Sequence, residues 1–357
     1  MAPSHITTVT EELNLAPSQV NAVAELLTEG ATIPFIARYR KEATGSLDEV
    51  SVTQIRDRLE QLAELQKRRE TILKSLEENG HLTDALQQTV AQADTLSQLE
   101  DIYLPYRPKR RTRATMAREK GLEPLAELIF AQNGCQPAEA AAPYIDPEKQ
   151  VATHEEALAG ARDIIAEWVA EDARAREQMR ALFATRSTIR SRLASGKETE
   201  GAKYRDYFEW EEAAAQAPSH RILAMRRGEK EDILSLSIAP DAEPALAILE
   251  DLFVRGDRPA SEQVRLAAHD AYKRLLSRSM ETEVRVALKE RADDEAIRVF
   301  AGNLRELLMA SPLGATRVLA IDPGYRTGGK MVCLDRQGQL LHHDTVFMIG
   351  SQARVDQ

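Results

Sequence analysis

The chain has 357 residues, enough for two or three domains at roughly 100 to 200 residues each. Its 47 Lys and Arg against 57 Asp and Glu give a net charge of −10, so the molecule as a whole repels phosphate backbones and any nucleic-acid interface has to be a local basic patch. No apolar run approaches the roughly 18 residues of a membrane span, and the N-terminus lacks the basic and apolar regions of an export signal. Cys135 and Cys333 are too few for a disulfide scaffold or a four-Cys zinc site; the expectation is a cytoplasmic protein with two buried thiols.

Most of the chain reads as helix. Val20, Val23, Ala24 and Leu27 recur at i, i+3, i+4 and i+7 between Pro17 and Gly30, which is the pattern of a short amphipathic helix. The string IPFIARYRKEATG over 33–45 is the most distinctive of the first half. Pro34 breaks the preceding helix, Phe35, Ile36 and Tyr39 are expected as core anchors, and Arg38, Arg40 and Lys41 place three cations on a short turn. Two readings of those cations are open: a packed connector whose arginines pair with acidic helices, or direct phosphate contact.

Ser51 and Gln54 form a capping-box start, after which Ile55, Leu59, Leu62, Ile72 and Leu76 share one face until Asn79 and Gly80. Between Tyr106 and Arg118 lie six cations, Arg107, Lys109, Arg110, Arg111, Arg113 and Arg118, and no acid; without them the remainder falls from −10 to −16. Pro105 and Pro108 favour an extended course here, so the side chains can radiate along a phosphate backbone; a solvated linker is the competing reading.

Thr153 and Glu156 repeat the capping-box signal ahead of Leu158, Ala161, Ile165, Trp168 and Val169, on a helix expected to continue into an Arg-rich stretch. From Arg174 to Arg205 nine cations face three acids at mostly helical spacing, which favours internal pairing over binding. Leu234, Leu236 and Ile238 alternate with serines as one short strand. Helical periodicity then returns over 259–310, as in Val264, Ala267, Ala268 and Ala271 and again in Val284, Ala287 and Leu288.

A new domain begins near Thr316. Strands are expected over Arg317–Ile321, Lys330–Leu334 and within Gln339–Ile349, with a hairpin turn at Asp335–Gly338. Three strands without a covering helix cannot bury both faces, so the domain is expected to be incomplete. Asp322 closes the first strand ahead of a glycine turn, the place where ribonuclease-H-like nucleases hold their first Mg²⁺ ligand and where actin-like ATPases wrap phosphates. Only 35 residues follow it, too few to supply the partners either chemistry needs, so Asp322 reads as a turn residue. His342 and His343 point to opposite faces of a strand and cannot share a metal. No catalysis, cofactor or metal is expected of this chain.

Three strings carry a resemblance: IPFIARYRKEATGSLDE (33–49), LEDIYLPYRPKRRTRATMAREKGLEPLA (99–126) and VLAIDPGYRTG (318–328). In this order they resemble the bacterial Tex family of transcription accessory proteins, related to eukaryotic Spt-type elongation factors. The resemblance implies a mainly α chain. A discontinuous helix-turn-helix-like module would use 1–66 with 240–312, around a central helical region over 67–239. The first strands of a truncated ribonuclease-H-like, YqgF-type α/β domain would occupy 316–357. It also implies that the YqgF-type domain is not a nuclease, and that the family's helix-hairpin-helix elements and OB-type barrel lie beyond this stretch. Gly328-Gly329-Lys330 departs from the usual single glycine and is expected to cause a local bulge.

The expected function is a non-enzymatic, nucleic-acid-binding scaffold with RNA or DNA of low sequence specificity and the transcription machinery as partners, and no membrane. Its expected binding residues are Arg107, Lys109, Arg110, Arg111, Arg113, Arg38, Arg40 and Lys41. The alternatives are a Mg²⁺-dependent nuclease of the ribonuclease-H superfamily and an actin-fold ATPase.

Overall fold

The computed structural model describes residues 3–108, 111–324 and 328–347. The chain divides into two compact units, Met1–Glu290 and Arg291–Gln357. Helices α1 (Pro3–Leu13), α2 (Pro17–Thr28) and α3 (Ile33–Tyr39) gather on the first half of α5 (Glu49–Glu78), and the single turn α4 (Lys41–Thr44) packs on α2 and α3. Val9, Val20, Val23, Ile36, Val52, Ile55 and Leu59 interlock there as one core. Pro34 opens α3 rather than closing α2, which ends at Thr28 ahead of Gly30 in the left-handed region at φ +86°. Helix α5 starts earlier than the Ser51 signal implies, because the Asp48 side chain is the cap and accepts from the Ser51 N–H at 2.8 Å. Its 30 residues span about 45 Å, long enough to serve two cores. The second half carries α6 (Asp84–Ala91) and α7 (Leu96–Tyr103), joined through Leu65, Ile72, Leu76, Val90, Leu99 and Tyr103.

Next come α8 (Arg113–Glu119), α9 (Glu123–Ala131), α10 (Pro137–Ala141), α11 (His154–Glu171) and α12 (Ala173–Arg186). Helix α11 is the central element, packed by α8, α9, α10 and α12 through Ala157, Ala161, Ile164, Ile165 and Val169. Both halves of the Thr153/Glu156 capping box form. The helix does not run on into the Arg-rich stretch: Asp172 is extended and caps α12, accepting from the N–H groups of Arg174 and Ala175. Gly160 lets α11 approach its neighbour, since a Cβ there would stand 2.3 Å from Leu122 Cδ1.

Strands β1 (Thr188–Leu193), β2 (Glu209–Ala213) and β3 (Leu234–Ala239) form an antiparallel sheet in the order β2-β1-β3, with Ile189 opposite Ile238 and Ser191 opposite Leu236. Only β3 was expected. The stretch Arg174–Arg205 is therefore not mostly helical. Helix α12 ends at Arg186 and β1 takes over, burying Ile189 and Ser191 on one face while Arg190 and Arg192 point to the other. Helix α13 (Ser219–Lys230) covers β3, and α14 (Ala242–Phe253) and α15 (Pro259–Asp270) follow. A π-helical segment over Ala271–Leu276 leads from α15 into α16 (Ser277–Met309). In the stretch that the resemblance groups with 1–66, α14 packs on α12 and α15 packs on α9 and α11.

In the second unit, β4 (Val318–Asp322), β5 (Gly329–Leu334) and β6 (Leu340–Val346) make an antiparallel sheet in sequence order. The hairpin turn forms as expected: the Asp335 carboxylate accepts from the N–H groups of Gln337 and Gln339, and Gly338 takes φ +80°. The register shift lies between Cys333 and Leu334, not at Gly329, because β4 and β5 pair without interruption from Val318–Leu334 to Asp322–Lys330. Cys135 and Cys333 are half-buried rather than buried.

The whole length of β6 and most of β4 face solvent, so little apolar burial opposes local opening of this sheet. Amide exchange monitored by mass spectrometry should be faster over Val318–Val346 than over α11 or the β2-β1-β3 sheet. Equal protection of both regions would contradict this.

Candidate nucleic-acid interface

Two arginines of the Arg-rich stretch, Arg176 and Arg180, are spent inside the fold. The Asp101 side chain of α7, 7% exposed, accepts from Arg176 Nε at 2.5 Å and from Arg180 Nη2 at 2.9 Å. Glu283 of α16 completes the group, 2.9 Å from Arg176 Nη2 and 2.7 Å from Arg180 Nε. Burial works against the Arg180 charge, but its bonds to Glu283 and Asp101 outweigh that and raise its pKa above the ordinary value. Further along, Arg174 pairs with Asp172, Arg190 with Glu211, Lys197 with Glu200 and Lys203 with Glu231. Arg186, Arg192 and Arg205 are exposed and make no ion pair among the described residues.

The segment from Tyr103 to Arg118 is only partly extended. Tyr103 is buried, with its hydroxyl 2.8 Å from Ser75 Oγ and the Arg68 guanidinium over its ring. Leu104–Tyr106 forms a 3-10 turn, because the fixed φ of Pro105 suits a first helical turn as well as an extended chain. Extension begins at Arg107, at ψ 133°. Arg107 is exposed and borders an open cavity of about 590 Å³ shared with Thr112, Glu167, Arg176 and Ser279. Lys109 and Arg110 lie outside the described residues. Arg111 is 70% exposed and reaches Glu119 at 2.9 Å. Arg113 is exposed in the first turn of α8, where with Arg274 it counters the burial that raises the Asp163 carboxyl above its ordinary range.

Arg118, the last cation of the run, is structural: it bonds Glu123 at 2.9 Å and the buried Glu167 at 2.7 Å. Thr112 fixes the same corner, capping α8 through the Thr115 N–H and donating to Glu167 at 3.0 Å. Arg107, Arg111 and Arg113 thus lie between the fixed Tyr103 and the fixed Arg118.

The segment 33–45 corrects an expectation. Ile36 is fully buried and Ile33 packs on the same core, but Phe35 is 38% and Tyr39 is 70% exposed. The period of an α-helix explains this. Ile33, Ile36 and Ala37 stand at i, i+3 and i+4 on the inner face of α3, and Phe35, Arg38 and Tyr39 occupy the opposite one. Arg38 lies on α3 and Lys41 on α4, with Arg40 as the non-helical residue that joins them. Arg38 pairs with Glu49 at 3.0 Å, Arg40 lies over the Phe35 ring, and Lys41 is exposed with no ion pair among the described residues. Sequence reasoning missed Phe35 and Tyr39 as surface residues, although the spacing of Ile33, Ile36 and Ala37 already marked the buried face.

Asp322 ends β4, paired in register with Lys330. Among the described residues no three His, Cys, Asp or Glu side chains gather as a metal-holding group. No helix among them is long and apolar enough to cross a membrane.

Three models of one family match in order: the Tex-like protein N-terminal domain over 3–77, the Tex central region-like model over 132–300 and the Tex protein YqgF-like domain over 316–357. The chain belongs to the Tex family. It is similar to Protein YhgF of Escherichia coli, 43% identical over 352 residues that cover 96% of this chain and 46% of the relative. It is also similar to Protein tex of Bordetella pertussis, 42% identical over 350 residues, 94% of this chain and 44% of the relative. Human S1 RNA-binding domain-containing protein 1 is 28% identical over 360 residues, 95% of this chain and 35% of the relative. The chain thus spans less than half the length of these Tex relatives.

Within this Tex chain, Asp101→Ala would remove the one buried carboxylate that Arg176 and Arg180 share, leaving them Glu283 as their acid partner. Urea unfolding should show a loss of about 3–5 kcal/mol, the usual cost of stripping one partner from a buried ion pair. A loss under about 1 kcal/mol, the size typical of an exposed pair, would show that the network is not what holds α7, α12 and α16 together.

Proposed function

We propose that this chain is the helical part of a non-enzymatic transcription accessory factor that binds nucleic acid with low sequence specificity, in the cytoplasm, alongside the transcription machinery. The observation that carries the reading is the contrast in how cations are used. Arg176, Arg180 and Arg118 are consumed by buried acids, whereas Arg107, Arg111, Arg113, Arg38, Arg40 and Lys41 stay at the surface on pinned segments. Exposed ion pairs such as Arg111–Glu119 and Arg38–Glu49 are worth little, so a phosphate can displace the carboxylate at small cost. The distant acids that make the net charge −10 are screened beyond about 8 Å at physiological salt. Membership of the Tex family and the likeness to human S1 RNA-binding domain-containing protein 1 support the same class.

Catalysis is not part of the proposal. Asp322 stands at a strand end that could offer one metal ligand, but two-metal phosphoryl transfer needs further carboxylates around it.

Replacing Lys109, Arg110 and Arg111 together with Ala should weaken binding to a single strand and flatten the plot of log affinity against log salt by about two units, at about 0.7 per lost phosphate contact. An unchanged slope with lower thermal stability would make the run a structural connector. Incubation with Mg²⁺ and either DNA, RNA or ATP should give no turnover; hydrolysis abolished by Asp322→Ala would promote the nuclease or ATPase reading.

A further inference from the structure

The outer face of α3 presents two aromatic rings to solvent, Phe35 at 38% and Tyr39 at 70% exposure. The Phe35 and Tyr39 centroids are 5.6 Å apart with planes tilted by 43°, and Arg40 Cζ lies 4.8 Å above the Phe35 ring. Arg40 Nη1 also donates to the Tyr39 carbonyl at 3.2 Å, so the guanidinium is held in place without an acid partner among the described residues. The support beneath is firm. Ile36 and Thr44 are fully buried, and Gln19 donates to the Thr44 carbonyl at 3.1 Å, tying α4 to α2.

We propose that Phe35 and Tyr39 are a stacking platform for unpaired bases, flanked by Arg38, Arg40 and Lys41 for the adjoining phosphates. The proposal rests on the nucleic-acid reading above and adds to it the residues that touch bases and the strandedness of the ligand. Aromatic faces beside cations suit a single strand, whose bases offer free π-faces and whose phosphates follow at each nucleotide. A duplex keeps its bases stacked on one another and would use the cations alone. The charge around the rings favours this partner, since Arg40 and Lys41 make no ion pair among the described residues and Arg38 has only the half-exposed Glu49. Held on the rigid face of a helix, the rings lose little freedom when a base lands on them.

The test uses the full chain with two strands of equal phosphate number, an oligothymidylate and its abasic counterpart, together with a strand carrying 2-aminopurine. Base–aromatic stacking corresponds to at least about fivefold in affinity per stacked base, so the natural chain should prefer the base-bearing strand by that factor or more. It should also alter 2-aminopurine fluorescence. Phe35→Ala with Tyr39→Ala should erase the preference and the fluorescence change while leaving the salt slope as it was. Phe35→Leu with Tyr39→Leu, which keeps apolar bulk on α3 without the π-faces, should behave like the alanine pair and guards against a folding defect.

Equal affinity of the natural chain for both strands overturns the platform and leaves charge-based binding intact. No binding of either strand overturns both readings. A preference that survives in both double variants places stacking elsewhere. Displacement of either strand by polyglutamate, lost in the alanine pair but retained in the leucine pair, would make the face a protein-docking surface instead.

Discussion

Asp101 is a buried carboxylate between two guanidiniums, and its partners come from far along the chain. Arg176 lies 75 residues away in sequence, and Glu283 a further 107 beyond Arg176. Net stabilisation from such a network is small, because desolvation of the ions offsets most of their attraction. Its consequence is geometric. An arrangement that moved α7 off α12 and α16 while keeping Asp101 or Arg176 buried would leave a charge without its partner, which costs more than losing an apolar contact. A second group repeats the device, with Arg285 of α16 joined to Glu229 of α13 and to Glu281. Glu281 accepts in turn from the Ile238 N–H of β3.

This use of charge bears on where the proposed binding would occur. An acidic chain retains affinity for phosphate only where cations are left unneutralised at the surface, and the folded core removes several of the most conspicuous ones from that role. Arg186, Arg192 and Arg205 stay exposed as well, but two short segments combine surface cations with firm anchorage. One is pinned by Tyr103 below and by Thr112 and Arg118 above; the other lies on α3 and α4 over Ile36 and Thr44. Anchored segments suit recognition of a flexible strand, because the ordering cost then falls on the ligand alone.

Local signals were the ones legible in the sequence. The Thr153/Glu156 capping box, the Asp335–Gly338 turn and the Leu234–Ile238 alternation each depend on residues within a few positions, and each forms. Strand β1 was hidden because Arg190 and Arg192 flank Ser191 on a half-buried sheet, and their charges suggested a solvated helix. Aromatic side chains carry large apolar surfaces that usually pack inside, which masks the exposure of Phe35 and Tyr39 in the sequence, although the helix period separates them from Ile33, Ile36 and Ala37. The ion network around Asp101 had no sequence signal at all, since nothing local links residues so far apart. The family was legible because three long strings occur in one order, whereas the exposure of Arg38, Arg40, Lys41, Arg107, Arg111 and Arg113, on which their proposed role rests, is supplied only by the fold.

The account stands on the division between cations spent in the core and cations left for a ligand. Photocrosslinking of this chain to a single-stranded oligonucleotide, followed by mass-spectrometric mapping of the joined peptides, tests that division directly. Cross-links confined to the segments 33–41 and 107–113 are the expected result. Cross-links concentrated over Arg174–Arg205, with none on those two segments, would contradict it.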